Sequence, residues 1–175
     1  MFSKIAIVFV LATALETTWS RSPPTFDESV TDSTQNLFGI NCIADAVYNL
    51  EDAAGEFLYK IQSCGQDAVS SALVVSADIS DLSTTTNILI NTNDNTCNNA
   101  AYADEDARRL PSGDCVSNIR TMMDRLHKNT KQTVTDITGI TNINACGKMA
   151  LTTYKLAVQN FDSFITVCGN VAKTQ

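Results

Sequence analysis

Histidine occurs once in the 175-residue chain, at His127, and that scarcity removes most catalytic architectures before any motif is sought. A Ser/His/Asp or Cys/His mechanism would have to be assembled around this single imidazole. Its neighbours Arg125, Lys128 and Lys131 mark it instead as a member of a solvated basic face. The Cys-x-x-Cys spacing of zinc sites is missing, and so is a glycine-rich phosphate loop. Paired carboxylates such as Glu51 and Asp52 are adjacent, so on a helix they point apart. These absences predict a non-enzymatic protein with no cofactor and no metal centre.

Proline (three) and glycine (seven) are sparse while hydrophobic residues reach 44%, a balance that argues against disorder. Positive charge is in deficit, 12 Lys and Arg against 19 Asp and Glu. The formal charge of −7 disfavours a nucleic-acid partner held through its phosphates and suits solubility. The basic residues that do occur gather between Arg108 and Lys131, where one helix face would be positive. Asn-x-Ser/Thr acceptors are absent, although Ser- and Thr-rich stretches permit O-linked sugars.

Lys4 followed by the run IAIVFVLATAL has the form of a secretory signal peptide, too short to span a bilayer. Residues 1–20 are assigned to it, with cleavage after Ala14 or after Ser20 both compatible with the small-residue pattern. No later stretch approaches the ~20 apolar residues of a membrane span. The expected product is secreted and extracellular, a single domain preceded by a flexible segment over 21–40 that its Pro-Pro and Ser/Thr/Asp content would keep extended.

From residue 41 to 172 the apolar spacing is helical. Ile43, Val47, Leu50, Ala54, Phe57 and Ile61 advance by alternating steps of four and three, one face of an amphipathic helix. A second helix after Gly65 carries Val69, Leu73, Ile79, Leu82, Thr86 and Leu89, with weak intrinsic propensity. A third begins at Ser112-Gly113-Asp114 and stops near Gly139. A fourth runs from about Asn144 through Met149, Tyr154, Leu156, Phe161 and Phe164 to a stop at Gly169. Four such helices predict an all-α fold, an antiparallel four-helix bundle with three disulfides.

Six cysteines in an oxidising compartment allow fifteen pairings. Cys42 and Cys64 bracket the first helix, and Cys146 and Cys168 bracket the last with the same spacing of 22. That much helix spans about 33 Å, far beyond the ~4.4 to 6.8 Å between bridged Cα atoms, so neither bracket closes on itself. In an up-down-up-down bundle Cys64 and Cys146 share one end, where they pair with each other or stay free. Cys42, Cys97, Cys115 and Cys168 share the other, where three pairings remain; Cys42–Cys168 with Cys97–Cys115 is preferred because it staples two helices at both ends.

The connection between the second and third helices, NTNDNTCNNAAYADEDARRLPSGDC, is the most polar part of the chain. Asp94, Asp104, Glu105 and Asp106 lack the central glycine and terminal glutamate of a calcium loop. Arg108-Arg109 has the form of a dibasic processing site, and 100–110 is compatible with a short helix. Two functions then remain. An interaction or defence-type protein would act through its surface on an extracellular protein or other surface. A carrier would hold a small apolar ligand between its helices, lined by Phe57, Met122, Met123, Met149, Phe161 and Phe164.

The signal peptide, six cysteines spread over four helices, Tyr48 and Tyr59 in the first helix and the Cys64-to-Cys146 framework resemble insect secreted proteins of the tsetse EP-protein type. The resemblance covers Asn41 to Gly169 and departs at the C-terminus, where an acidic Glu-Pro tail is replaced by VAKTQ. It implies a lumenal or body-fluid protein, linked to gut immunity or reproduction, without enzymatic activity. Insect odorant-binding proteins are also helical with six cysteines, but their close cysteine pair is missing here.

Overall fold

The computed structural model describes residues 22–99 and 109–174, and these are all-helical. The expected leader lies outside the described residues, as do Asp104, Glu105, Asp106 and Arg108 and most of the expected short helix. The elements are α1 (Phe26–Ser33), α2 (Leu37–Ser63), α3 (Gln66–Ser71), α4 (Leu73–Asn91), a π-helical turn (Thr92–Thr96), α5 (Gly113–Gly139) and α6 (Ala145–Thr174).

The segment expected to be extended contains α1, and the reason is local. Thr25 Oγ1 accepts from the Glu28 amide at 3.3 Å while Glu28 Oε2 accepts from the Thr25 amide at 2.7 Å, a reciprocal cap that starts a helix immediately after the two prolines. Ser29, Val30 and Ser33 are buried, and α1 packs mainly on α6. Asn36 then fastens the corner. Its Oδ1 caps α2 by accepting from Gly39 N at 2.8 Å, and its Nδ2 donates to Ala172 O at 2.9 Å. The folded unit therefore begins near residue 25, not at 41.

Gly169, expected to stop the last helix, lies inside α6. A Cβ there would stand 2.9 Å from Ser29 O and 3.2 Å from Asp32 Cβ, so glycine permits close approach of α1. The expected second helix is divided. Gly65 at φ +97° turns the chain into α3, and the break at Ala72 rotates the apolar stripe so that Val75 is buried and Leu73 is exposed. Ser112 caps α5 as expected, its hydroxyl accepting from Cys115 N at 3.2 Å.

The disulfides are Cys42–Cys168, Cys64–Cys146 and Cys97–Cys115, with Cα atoms 5.5, 5.5 and 4.9 Å apart. The first two join opposite ends of α2 and α6, which therefore run antiparallel. Packing continues from α2 to α4, from α4 to α5 and from α5 back to α6. Ile40, Ile43, Val47, Phe57, Leu82, Leu89, Ile119, Met123, Leu126, Phe161 and Ile165 fill the space between them. Among the described residues no helix is long and apolar enough to cross a membrane.

Candidate interaction surface

The six side chains expected to line a ligand cavity do not converge. Phe57, Met123 and Phe161 are buried in the core, Met122 is half-buried, and Met149 and Phe164 face solvent on α6. Phe57 stacks on Tyr154 with centroids 5.0 Å apart, and Phe161 meets Phe26 at 6.2 Å, so each aromatic is already occupied by a neighbour. The cleft beside Phe57, floored by Ala53, Ala150 and Ala157, holds about 80 Å³. Ligand pockets start near ~300 Å³.

His127 is not the solvated basic residue that its sequence neighbours suggest. Its ring stacks on Phe26 of α1 at 4.0 Å, and Nδ1 lies 3.0 Å from Asp162 Oδ1 on α6, while Lys131 Nζ approaches the other carboxylate oxygen at 3.6 Å. The pair supplies the base and orienting carboxylate of a relay. All six cysteines are held in disulfides, so no thiol nucleophile accompanies it. The arrangement ties α1, α5 and α6 together. Among the described residues no group of three or more His, Cys, Asp or Glu side chains is placed to hold a metal ion.

A second polar cluster lies between α4 and α5. Arg125 pairs with Asp81, whose other oxygen accepts from Asn129 Nδ2 at 2.9 Å, and the Arg125 hydrogen bond holds the Asp81 carboxyl below its usual range. One helical turn away, burial and the neighbouring Asp136 carboxylate push Asp78 up to about 6. Asp78 Oδ2 and the Tyr154 hydroxyl are buried without a hydrogen-bond partner among the described side chains, and burial, then the Asp78 charge, raises the Tyr154 phenol. The sequence hid this cluster because Asp78 and Asp136 are 58 positions apart and ordinary in their local context.

Of the ten large apolar side chains left in water among the described residues, Leu73, Val74 and Ile88 lie on α4 and Leu110 before α5, and the other six lie on α6 and α2. Met149, Leu156, Phe164 and Val167 stand on the outer side of α6, 54% to 69% exposed, and Tyr48 and Tyr59 stand on the outer side of α2 at 62% and 76%. These positions fall on one helical face, because 149, 156 and 167 are seven and eleven residues apart, which returns each to nearly the same direction. Exposed Asp45, Asp52 and Glu56 lie beside the tyrosines. Val167 has no place in the core pattern read from the sequence and Leu156 only flanks it; the signal of both is a second apolar stripe on an already amphipathic helix.

No protein-family model, curated protein or solved structure matches this chain.

Proposed function

We propose that this chain is a secreted, non-enzymatic interaction protein. In this reading α2, α4, α5 and α6 form an antiparallel four-helix bundle that serves as a rigid support, and the outer face of α6 docks a macromolecule. The observation that carries the reading is the exposed row Met149, Leu156, Phe164 and Val167 on a helix whose inner face is already fully packed. Neighbouring large apolar groups left in water mark docking surfaces more often than folding requirements. Three disulfides suit an oxidising extracellular compartment, and the resemblance to the tsetse EP-protein type implies the same non-enzymatic role. The carrier alternative is less well supported: the cleft beside Phe57 holds only about 80 Å³, and the larger surface clefts, about 610 Å³ beside Asp27, Glu28, Asp32 and Lys173 and about 340 Å³ beside Lys131, Gln159 and Asp162, are lined largely by polar and charged side chains.

The test places a photoreactive benzophenone side chain at Leu156 or Phe164 in the chain secreted into its own extracellular fluid. Illumination is expected to give a covalent adduct with a polypeptide, and the same probe at the exposed Thr121 on α5 is expected to give none. Absence of a polypeptide adduct from both α6 positions would overturn the reading.

A further inference from the structure

Given that the outer face of α6 docks a macromolecule, on which this inference rests, we infer that its occupant is a second copy of this chain, related by a two-fold axis running along the helix so that the two α6 helices lie parallel. The spacing of the face is the first argument. Met149, Thr153, Leu156, Asn160, Ser163 and Val167 are all exposed and advance by strictly alternating steps of four and three. Its apolar members Met149, Leu156 and Val167 are interspersed with the small polar Thr153, Asn160 and Ser163, a straight line of about 27 Å along which a second helix can lie.

Charge on the two flanks selects the orientation. On the α5 side of the seam stands Lys155, bonded to Thr138 on α5 at 2.8 Å, with exposed Lys148 one heptad before it. On the α2 side stands exposed Asp52; Glu56, which shares a cleft with Ala150, Thr153 and Tyr154 of α6, is paired with Lys60 at 2.6 Å, so Asp52 is the carboxylate of that flank left to a partner. Because the disulfides set Cys42 beside Cys168 and Cys64 beside Cys146, Asp52 and Glu56 lie within one helical turn of the level of Lys155. A two-fold axis across the helices would set each flank against its own kind. An axis along them sets the lysine flank of one copy against the acidic flank of the other at matching height. Asn160 in the middle of the seam points the same way, since a polar residue at such a position fixes register in parallel pairs, where it meets its own copy amide to amide.

The chain, produced with its own leader and collected from the medium of secreting cells, is followed by sedimentation velocity from 1 to ~100 µM, a range that brackets weak and moderate protein pairs. A concentration-dependent monomer–dimer equilibrium is expected. Leu156→Glu with Phe164→Glu should raise the dissociation constant at least about tenfold while the circular-dichroism melt stays in place, since neither side chain is buried. Lys155→Glu should weaken the dimer several-fold, and adding Asp52→Lys in the same chain should restore it. Orientation is read separately: a cysteine introduced by Met149→Cys is expected to form an intermolecular disulfide with its own copy, which an antiparallel pair would carry out of reach. A wild-type chain that stays monomeric to ~100 µM overturns the inference, and so does dimerisation that is indifferent to the α6 substitutions. Should the monomer still give a benzophenone adduct with a different polypeptide, the docking reading stands and the second copy is replaced. A monomer that gives no adduct overturns both.

Discussion

Helices α5 and α6 are neighbours of similar length, 27 and 30 residues, and they meet water in opposite ways. The outer side of α5 is charged, with Lys128 bound to Asp124 at 2.6 Å and Gln132 to Asp136 at 3.0 Å, each one turn apart. Its inner side is mixed, for Asn129, Thr130 and Thr133 are buried there alongside Ile119, Met123 and Leu126. Outward, α6 shows Met149, Leu156, Phe164 and Val167, and inward it buries Tyr154, Phe161 and Ile165. The helix that needs polar partners to fit its neighbours is the one with no large apolar side chain left in water. The helix with apolar groups to spare keeps them where they contribute nothing to folding. In α5 the sequence answers mainly to the interior; in α6 it answers to the interior on one face and, in the proposed function, to a docked partner on the other.

The largest expected effect lies on the inner face of α6. Phe161→Ala should lower the unfolding free energy by about 3 to 5 kcal/mol, measured by urea titration, because the ring is fully packed between Phe26 and the core. A loss below ~1 kcal/mol would mean that this face is not the packed one. Replacing both Cys42 and Cys168 by alanine should cost about 2 to 4 kcal/mol, since the bridge closes a ring of about 44 positions even with Cys64–Cys146 intact; a loss confined to α1 fraying in hydrogen exchange would localise the tie differently.

The seam between α4 and α5 gives an effect of opposite sign. With Asp78 raised to about 6 by burial and Asp136, the folded state retains a proton that the unfolded chain releases near ~4. The stabilisation is complete below ~4 and is lost as pH rises through about 6, so stability falls across that window. Asp78→Asn should flatten this fall between pH 4 and 7 and raise stability at pH 7, on the order of 1 kcal/mol once solvent screening is allowed for. An unchanged slope in melting temperature against pH would assign the charge strain elsewhere. The smallest effect is expected on the outer face: Leu156→Ser with Phe164→Ser should leave stability within about 0.5 kcal/mol per site. A larger loss would place those side chains in the fold and erase the contrast with α5.

How far the sequence discloses this molecule depends on the range of the interaction concerned. The equal spacing of Cys42–Cys64 and Cys146–Cys168 points to the observed bridges, because covalent reach against helix length leaves few choices. Ser112 announces α5 because a cap acts within three residues. The reciprocal cap of Thr25 and Glu28 acts over the same short range, and it overrides the extended tail that the Pro-Pro and Ser/Thr/Asp content predicts. What is hidden depends on contacts distant in sequence. The stacking of Phe26 on His127, the approach of α1 that Gly169 permits and the pairing of Asp78 with Asp136 each join elements whose separation carries no local mark. The outer row of α6 had a local mark of its own, but Met149 and Phe164 were assigned to the interior because periodicity locates a face without saying which face is inside.

The bridge from Cys97 to Cys115 closes a ring only 18 positions long at the junction of the π-helical turn and α5. Its consequence is insulation. Whatever length or composition lies between those two cysteines, the ends of α4 and α5 stay pinned at the distance the disulfide sets, and lengthening the enclosed chain costs only the slow logarithm of loop closure. A cut within the ring leaves one covalent molecule, visible as two pieces only after reduction. The ring also meets the start of α2, where Asn99 Nδ2 donates to Leu37 O at 3.0 Å and Leu37 N donates to Arg109 O at 3.1 Å, so both of its ends hold the first turn of that helix in place.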